Sequence, residues 1–170
     1  MILRLMTLIV FGLLMGGCTF SAPQFEAGIA LIERAVSSKN ETAGEPRATW
    51  LASVGDRGAV LNPYLSNGLT VFANIDGDAI VFDGWTIRSI TGFGLSSPVS
   101  VSGKHGTRVF VFNGAQTKTD CDAWTRSGLN WEQVCANGDG QITLDETGNI
   151  QSITMALGNK LGIVTLRVAK

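Results

Sequence analysis

The sequence has few of the residues from which most catalytic and metal sites are built. It contains one histidine and three cysteines. Charged residues make up 16 % of the chain, against about 25 % in ordinary soluble proteins. The 13 basic and 14 acidic residues nearly cancel, so the chain lacks the concentrated positive charge that binds nucleic-acid phosphates. We therefore expect no nucleic-acid partner, no metal and no cofactor. Hydrophobic residues, at 45 %, are sufficient for one folded domain with a short appendage.

The beginning of the chain has the organisation of a bacterial export signal. Arg4 precedes a mostly apolar run at residues 5–15, which is shorter than the roughly 20 residues that a membrane-spanning helix needs. The run fits the apolar region of a secretory signal. Residues 14–18 read Leu-Met-Gly-Gly-Cys and resemble a lipobox, in which the cysteine receives the lipid.

The resemblance to a lipobox predicts that residues 1–17 are a lipoprotein signal peptide and that Cys18 is the lipidation site. Processing would attach diacylglycerol to the thiol, cleave before Cys18 and acylate the new amine with a fatty acid such as palmitate. Two or three acyl chains hold a protein firmly at a membrane, whereas one holds it only marginally. Thr19, in place of aspartate, favours the outer membrane over the inner one. The alternatives are an ordinary cleaved signal and an uncleaved anchor.

Cys121 and Cys135 are the other two cysteines. Export would place them in an oxidising compartment, so we predict a disulfide between them. Closing a loop of about 15 residues contributes about 3 kcal/mol in the chain-entropy model. Two buried free thiols are the alternative. A metal site is disfavoured because neither a second cysteine pair nor a histidine accompanies them.

Residues 18–46 are predicted to form a lipid-anchored tether with one short amphipathic helix. Apolar residues recur at spacings of three and four over residues 25–37, which gives one apolar stripe. The stripe is predicted to pack on the domain, with contact to lipid as the alternative. Residues 38–46 are polar and contain glycine and proline, as a linker does.

Residues 47–170 show the pattern of an antiparallel β domain. Asp76-Gly77 and Asp83-Gly84 supply the positive φ angles of tight hairpin turns, so a three-stranded meander is predicted over residues 69–91. Further strands are predicted at residues 48–54, 99–102, 108–113, 129–135, 141–146, 150–157 and 162–169.

This pattern gives roughly eight to ten short strands with no helix between them. Parallel pairing needs long crossovers, so the sheet is expected to be antiparallel. Such a large sheet tends to curl, split or close. The predicted fold class is all-β, an antiparallel β-barrel or strongly curved sheet, with a β-sandwich as the alternative.

The stretch at residues 67–94 resembles the central block of the YjbF/GfcB lipoprotein family, which is associated with capsule and exopolysaccharide operons. The matching elements are Asn67-Gly68, Asp76-Gly77, Asp83-Gly84 and Thr91-Gly92-Phe93-Gly94. The cysteine pair, the lipobox and residues 145–150 match more loosely. The resemblance implies a β-barrel-like domain on the periplasmic side of the outer membrane. It also implies a role in polysaccharide production or export, without catalytic residues.

Several residues suggest chemistry that their surroundings explain more simply. Residues 135–146 approach a calcium-loop pattern, but a cysteine stands at its first position, and a β-turn between strands is the preferred interpretation. Three carboxylates, Asp76, Asp78 and Asp83, lie at turns and a strand edge rather than as a glycosidase pair. His105 is in a turn-like segment and is expected to be an exposed loop residue.

Trp124 and Trp131 lie between the two cysteines and are the best candidates for a sugar-stacking surface, although aromatic residues more often fill cores. The predicted function is a non-catalytic accessory, held in membrane lipid through Cys18, that docks a protein of polysaccharide secretion by an edge strand or a sheet face. One alternative is a periplasmic lipoprotein that binds lipid or a small hydrophobic ligand inside the curved sheet. A hydrolase is the other.

Overall fold

The computed structural model describes residues 48–104, 106–158 and 161–169, which form one antiparallel sheet of 13 strands. Cys18, the predicted helix at residues 25–37 and His105 lie outside the described residues. The strands are β1 (Trp50–Val54), β2 (Arg57–Ser66), β3 (Leu69–Ala73), β4 (Ala79–Phe82), β5 (Ile87–Thr91), β6 (Val99–Lys104), β7 (Thr107–Phe112), β8 (Ala115–Asp120), β9 (Thr125–Ser127), β10 (Asn130–Gln133), β11 (Gly140–Leu144), β12 (Ile150–Ala156) and β13 (Ile163–Val168).

The strand order is β8-β7-β6-β5-β4-β3-β2-β1-β13-β12-β11-β10-β9. Sequence neighbours therefore pair throughout, except that β8 and β9 lie at opposite edges. The first and last strands meet in the middle of the sheet, where Trp50 pairs with Val168 and Val54 with Val164. The sheet curls into a half-barrel, which confirms the predicted antiparallel, strongly curved sheet.

The two ends of the curled sheet are joined beyond β8 and β10. Cys121 and Cys135 form the predicted disulfide, with their Cα atoms 4.0 Å apart. The backbone pairs on both sides of it, since Asp122 N–H donates to the Val134 carbonyl at 2.8 Å and Ala136 N–H donates to the Asp120 carbonyl at 2.9 Å. A covalent bond and a short stretch of backbone pairing thus hold one corner of the half-barrel.

One face of the sheet carries a continuous apolar core. On β1 the side chains of Trp50, Ala52 and Val54 point into it, and Trp50 packs edge-on against Phe72 with ring centroids 4.9 Å apart. The most deeply buried core residues include Leu61, Ile80, Phe82, Ile90, Met155 and Leu166. A smaller apolar cluster of Val71, Ala73 and Ala79, with Tyr64 and Val81, covers part of the other face.

The sheet has more strands than the sequence pattern predicts, because β2, β8 and β9 were missed. All residues of β8 except Thr119 are exposed, and all three residues of β9 are exposed. A strand that is exposed to solvent on both faces has no alternation of apolar and polar residues by which the sequence could predict it. In β2 only Leu61 is buried, so that strand lacks the pattern as well.

In residues 67–94, the stretch that resembles the lipoprotein family, the glycines lie at turns that require a positive φ angle. Asn67 and Gly68, at φ angles of 50° and 76°, join β2 to β3, while Gly77 and Gly84, at 91° and 98°, lie in the two predicted Asp-Gly hairpins. Asn67 and Gly68 both have the left-handed backbone that a type I′ turn needs. In the two Asp-Gly turns only the glycine has a positive φ, so these turns differ from the predicted ones, in which aspartate and glycine would both be left-handed. The motif therefore specifies the fold of the meander.

Gly92 has a further reason to be glycine. The backbone N–H of Phe93 donates to Asp78 Oδ1 at 2.5 Å, which ties the end of β5 to the β3–β4 turn. A Cβ at Gly92 would lie 2.5 Å from Asp78 Oδ1 and 2.8 Å from the Gly77 carbonyl oxygen. At position 92 the chain passes too close to the β3–β4 turn for a side chain to fit.

Gly92→Ala is expected to destabilise the domain much more than Gly68→Ala. Both residues have positive φ angles, but a Cβ at Gly68 meets nothing within 4 Å. Gly68→Ala should lose about 1 kcal/mol from left-handed backbone strain alone. Gly92→Ala should lose about 3 kcal/mol, because a steric clash is added. Urea denaturation of the two variants measures the difference, and equal losses would contradict the close approach.

Removing the disulfide with Cys121→Ala and Cys135→Ala together should lower the free energy of unfolding. The sequence separation of 14 residues predicts a loss of about 3 kcal/mol through the larger entropy of the unfolded chain. Reductant should lower the denaturation midpoint of the wild type to that of the double variant and leave the variant unchanged. A double variant as stable as the wild type would show that the bond is not a stabilising one.

Candidate functional site

A cleft of about 310 Å³ opens beside the corner that the disulfide holds. We call it the corner cleft. Its walls come from the β4–β5 turn, from β6 and β7, and from the segment that follows Cys121. The residues that bear on its chemistry are Thr86, Arg88, Gly103, Arg108, Trp124 and Gln133.

Arg108 is a charged residue on the core face of the sheet. It alternates in phase with the buried Phe110 along β7, and only 4 % of it is exposed. Its Nη2 donates a hydrogen bond to Oε1 of Gln133, and the Nε2 of Gln133 donates in turn to the Asp122 carbonyl at 2.7 Å. The Nε and Nη1 atoms of Arg108 are buried and have no hydrogen-bond partner in the described part of the chain.

The charge of Arg108 is poorly compensated. The ion pairs formed among the described residues are Arg88–Asp83, at 2.6 Å, and Lys118–Asp120, at 3.7 Å. Burial lowers the pKa of the Arg108 guanidinium, and the negative charge of Asp139 opposes this shift. An arginine stays protonated in proteins, so the core face carries a cation whose remaining donors are unsatisfied. Such a group is costly to bury.

Two glycines lie close to Arg108, one against the backbone of its strand and one against its guanidinium. In the pairing of β6 with β7, Gly103 lies opposite Arg108, and a Cβ there would collide with the Thr107 carbonyl. A Cβ at Gly140, on β11, would lie 2.8 Å from Nη2 of Arg108 and 3.0 Å from Cη2 of Trp124. The absence of a side chain at Gly140 allows the guanidinium and the indole to lie side by side.

The predicted stacking residues, Trp124 and Trp131, belong to a cluster of three tryptophans. Trp85, in the β4–β5 turn, contacts both, with ring centroids 5.8 Å from Trp124 and 5.0 Å from Trp131. The guanidinium carbon of Arg108 lies 5.8 Å from the Trp124 ring centroid, within the range of a cation–π contact. Trp124 and Trp131 are half-buried against the core, whereas Trp85 is 45 % exposed. The cluster thus borders the corner cleft.

The three carboxylates considered for glycoside chemistry stabilise turns and do not converge. Asp78 accepts hydrogen bonds from Phe93 and from Nδ2 of Asn74. Asp83 accepts the backbone N–H groups of its own turn and pairs with Arg88. Asp76 lies exposed at the tip of the β3–β4 turn.

The calcium-like segment forms part of the sheet. Its first position, Cys135, is in the disulfide, and residues 140–144 form β11. Asp145 closes the β11–β12 turn, where hydrogen bonds from Thr147 and Asn149 lower the pKa of its carboxyl to about 2. Among the described residues, no three histidine, cysteine or acidic side chains gather as a metal site would require.

Sequence reasoning did not identify Arg108 or Trp85 as site residues. A signal for Arg108 was present, because residues 108–113 read RVFVFN and place a charge in phase with two phenylalanines. Trp85 carried no such signal. It reaches the other two tryptophans only because the curled sheet brings the β4–β5 turn close to β9 and β10, which lie at the far edge of the sheet.

The fold is shared with a solved bacterial protein. The crystal structure of the hypothetical lipoprotein YmcC from Escherichia coli (K12) matches with a TM-score of 0.52, over 86 % of this chain and 94 % of that one, at 12 % sequence identity. This similarity is evidence of fold alone. No family model matches the chain, and no curated protein sequence matches it. In the part of the chain that the structure describes, no helix has the length and apolar character needed to cross a bilayer.

Arg108→Met should cost little stability, unlike a change at the buried residue beside it. Losing the charge-assisted bond to Gln133 costs roughly 1.5 to 3 kcal/mol. Removing the desolvation penalty of the buried charge offsets this cost. The control is Thr119→Val, at the residue that pairs with Arg108 and is equally buried, at 4 %. Its Oγ1 accepts the Asn137 N–H at 3.1 Å, so about 1 to 2 kcal/mol should be lost.

Thermal and urea denaturation of both variants measures these changes. If Arg108→Met loses as much stability as Thr119→Val or more, Arg108 serves the fold, and the guanidinium needs no other explanation.

Proposed function

We propose that the chain is an outer-membrane lipoprotein, anchored through acylated Cys18 with its β domain facing the periplasm. We further propose that it is a non-catalytic accessory in the production or export of a capsular polysaccharide or exopolysaccharide. The observation that carries the proposal is the combination of a lipobox at residues 14–18 with a half-barrel whose solved neighbour is named a lipoprotein.

The disulfide supports an exported location. Cys121 and Cys135 lie close together in the fold and are bonded, and such bonds persist in the periplasm but rarely in the cytoplasm. The polysaccharide role is supported by the resemblance of residues 67–94 to the YjbF/GfcB family.

A non-catalytic role agrees with the surroundings of the carboxylates. Asp78 and Asp83 are engaged by hydrogen bonds that shape turns, and glycoside hydrolysis needs two carboxyl groups that face one bond. The accessory role instead requires a surface on which a partner protein docks. The edge strands β8 and β9 carry exposed polar residues. A component of the secretion machinery would dock by adding a strand to one of these edges.

The alternative of a lipid-binding lipoprotein needs an apolar cavity within the curved sheet. The core face is instead filled by buried side chains such as Ile80, Phe82 and Leu166. The corner cleft is lined by Arg88 and Arg108, which suit a polar ligand better than an acyl chain.

Replacing the lipidation residue should release the protein from the outer membrane. In wild-type cells we expect the protein in the outer-membrane fraction, with a mass that shows acylated Cys18 at its N-terminus. Cys18→Ser should abolish this modification and the outer-membrane location. Thr19→Asp serves as the matched control, which should retain the acyl chains but shift the protein to the inner membrane. An unmodified Cys18 thiol in the wild type would refute the anchoring.

The polysaccharide role is tested in the same strains. Deleting the gene should reduce surface or secreted polysaccharide, and the wild-type gene but not Cys18→Ser should restore it. Unchanged polysaccharide after deletion would reject the accessory role while leaving the anchoring intact.

A further inference from the structure

The wall of the corner cleft contains a cation, Arg108, whose hydrogen-bond donors are only partly satisfied. The guanidinium of Arg108 carries five N–H donors, and within the described residues it makes one hydrogen bond, to Gln133. Burying it without an ion pair opposes folding, and a methionine would fill the strand position with less penalty. A protein in which only 16 % of the residues are charged nevertheless keeps this one on its core face. The position is explained if the charge has a partner outside the chain.

The missing partner must be an acceptor that carries negative charge. The two nitrogens without partners, Nε and Nη1, can only donate. A carboxylate offers two oxygens that accept from neighbouring donors, and arginine binds it more strongly than a neutral acceptor. Neutral hydroxyl groups would leave the charge of Arg108 uncompensated.

The surrounding charges favour a single negative charge on the ligand. Arg88, the other cation among the described residues of the cleft wall, is already paired with Asp83 at 2.6 Å. Asp122 lies in the cleft wall as well, and Asp139 contributes negative potential at Arg108. Among the charges that the structure describes here, a doubly charged phosphate would meet these carboxylates with Arg108 as the one free cation, whereas a carboxylate needs only that cation.

The aromatic surroundings favour a ligand with an apolar face. Trp124 lines the cleft and lies over the guanidinium, with the ring centroid 5.8 Å from its carbon. Nε and Nη1 are sealed from solvent, so an anion reaches them only after a covering group moves. The Trp124 indole, which lies over the guanidinium, is the group that we expect to move. The ring is half-buried in the segment between Cys121 and β9, and Trp85 lies beside it. An indole displaced in this way offers its flat face to a sugar ring.

We propose that the corner cleft binds a carboxylate-bearing sugar unit of an acidic polysaccharide, with Arg108 holding the carboxylate and Trp124 packing on the sugar ring. The identification of the ligand as a polysaccharide rests on the proposed function. The recognition of an anion rests on Arg108 alone.

The test measures binding to the full-length acylated protein purified in detergent. The probes are an oligogalacturonide and a neutral glucose oligomer of equal length. Binding of each probe is measured by calorimetry and by tryptophan fluorescence. We expect the acidic oligomer to bind at least tenfold more tightly and to change the fluorescence. A charge-assisted hydrogen bond contributes roughly 1.5 to 3 kcal/mol, so Arg108→Met should weaken binding about 10- to 100-fold.

The control is Arg167→Met, which removes an exposed arginine of β13 outside the cleft and should bind as the wild type does. Trp124→Ala provides a second route if Arg108→Met does not fold, and it should weaken binding to the oligomer while the melting temperature confirms folding. Equal binding of the acidic and neutral oligomers, or wild-type affinity in Arg108→Met, would overturn the proposal. Acetate competing as well as the oligomer would overturn the sugar contact.

The result is separable from the proposed function. Loss of polysaccharide on gene deletion without any oligogalacturonide binding would reject this site and keep the accessory role. Binding that depends on Arg108, in cells whose polysaccharide is unchanged by deletion, would reject the accessory role and keep the site.

Discussion

The joining of the two ends of the sheet at Cys121 and Cys135 is the constraint on which the rest of the structure depends. An open sheet of 13 strands would leave its core face wet and its edges free. Curling covers that face with its own side chains, and the disulfide, with the backbone pairing around it, holds the curl at one corner. The corner cleft exists because β6 and β7 from one end of the sheet meet the segment after Cys121 and β10 from the other.

The order of the strands explains how so distant parts come together. The chain runs outward from β1 to β8, crosses to the opposite edge, and returns inward from β9 to β13. Almost all pairing is between sequence neighbours, and the β1–β13 pair closes the path in the centre. Among the described residues, the corner is where the two outer edges of the sheet meet. It is therefore the place where a site can draw on Trp85, Arg108 and Trp131 at once, and the place where the fold leaves polar groups unsatisfied.

The turn glycines and Arg108 represent opposite uses of sequence in this fold. Gly77, Gly84 and Gly92 satisfy local backbone geometry and make the meander form in one way. Arg108 contributes nothing to the local backbone geometry, and an apolar side chain would fit its core-facing position on β7 better. Natural sequences depart from consistency between local pattern and fold chiefly where function requires it. This contrast is the reason that we propose a ligand site at the cleft rather than at residues 67–94.

The sequence by itself determined the antiparallel β class, the hairpins at Asp76-Gly77 and Asp83-Gly84, and the pairing of the two cysteines, because each depends on local backbone preference or on elimination among few residues. It could not reveal β8 and β9, since exposed edge strands carry no apolar alternation. The tertiary structure alone decided that Trp85 joins Trp124 and Trp131, and that Nε and Nη1 of Arg108 lack a hydrogen-bond partner among the described residues. Both facts depend on how far the sheet curls, which results from packing across the whole core and from no single stretch of chain.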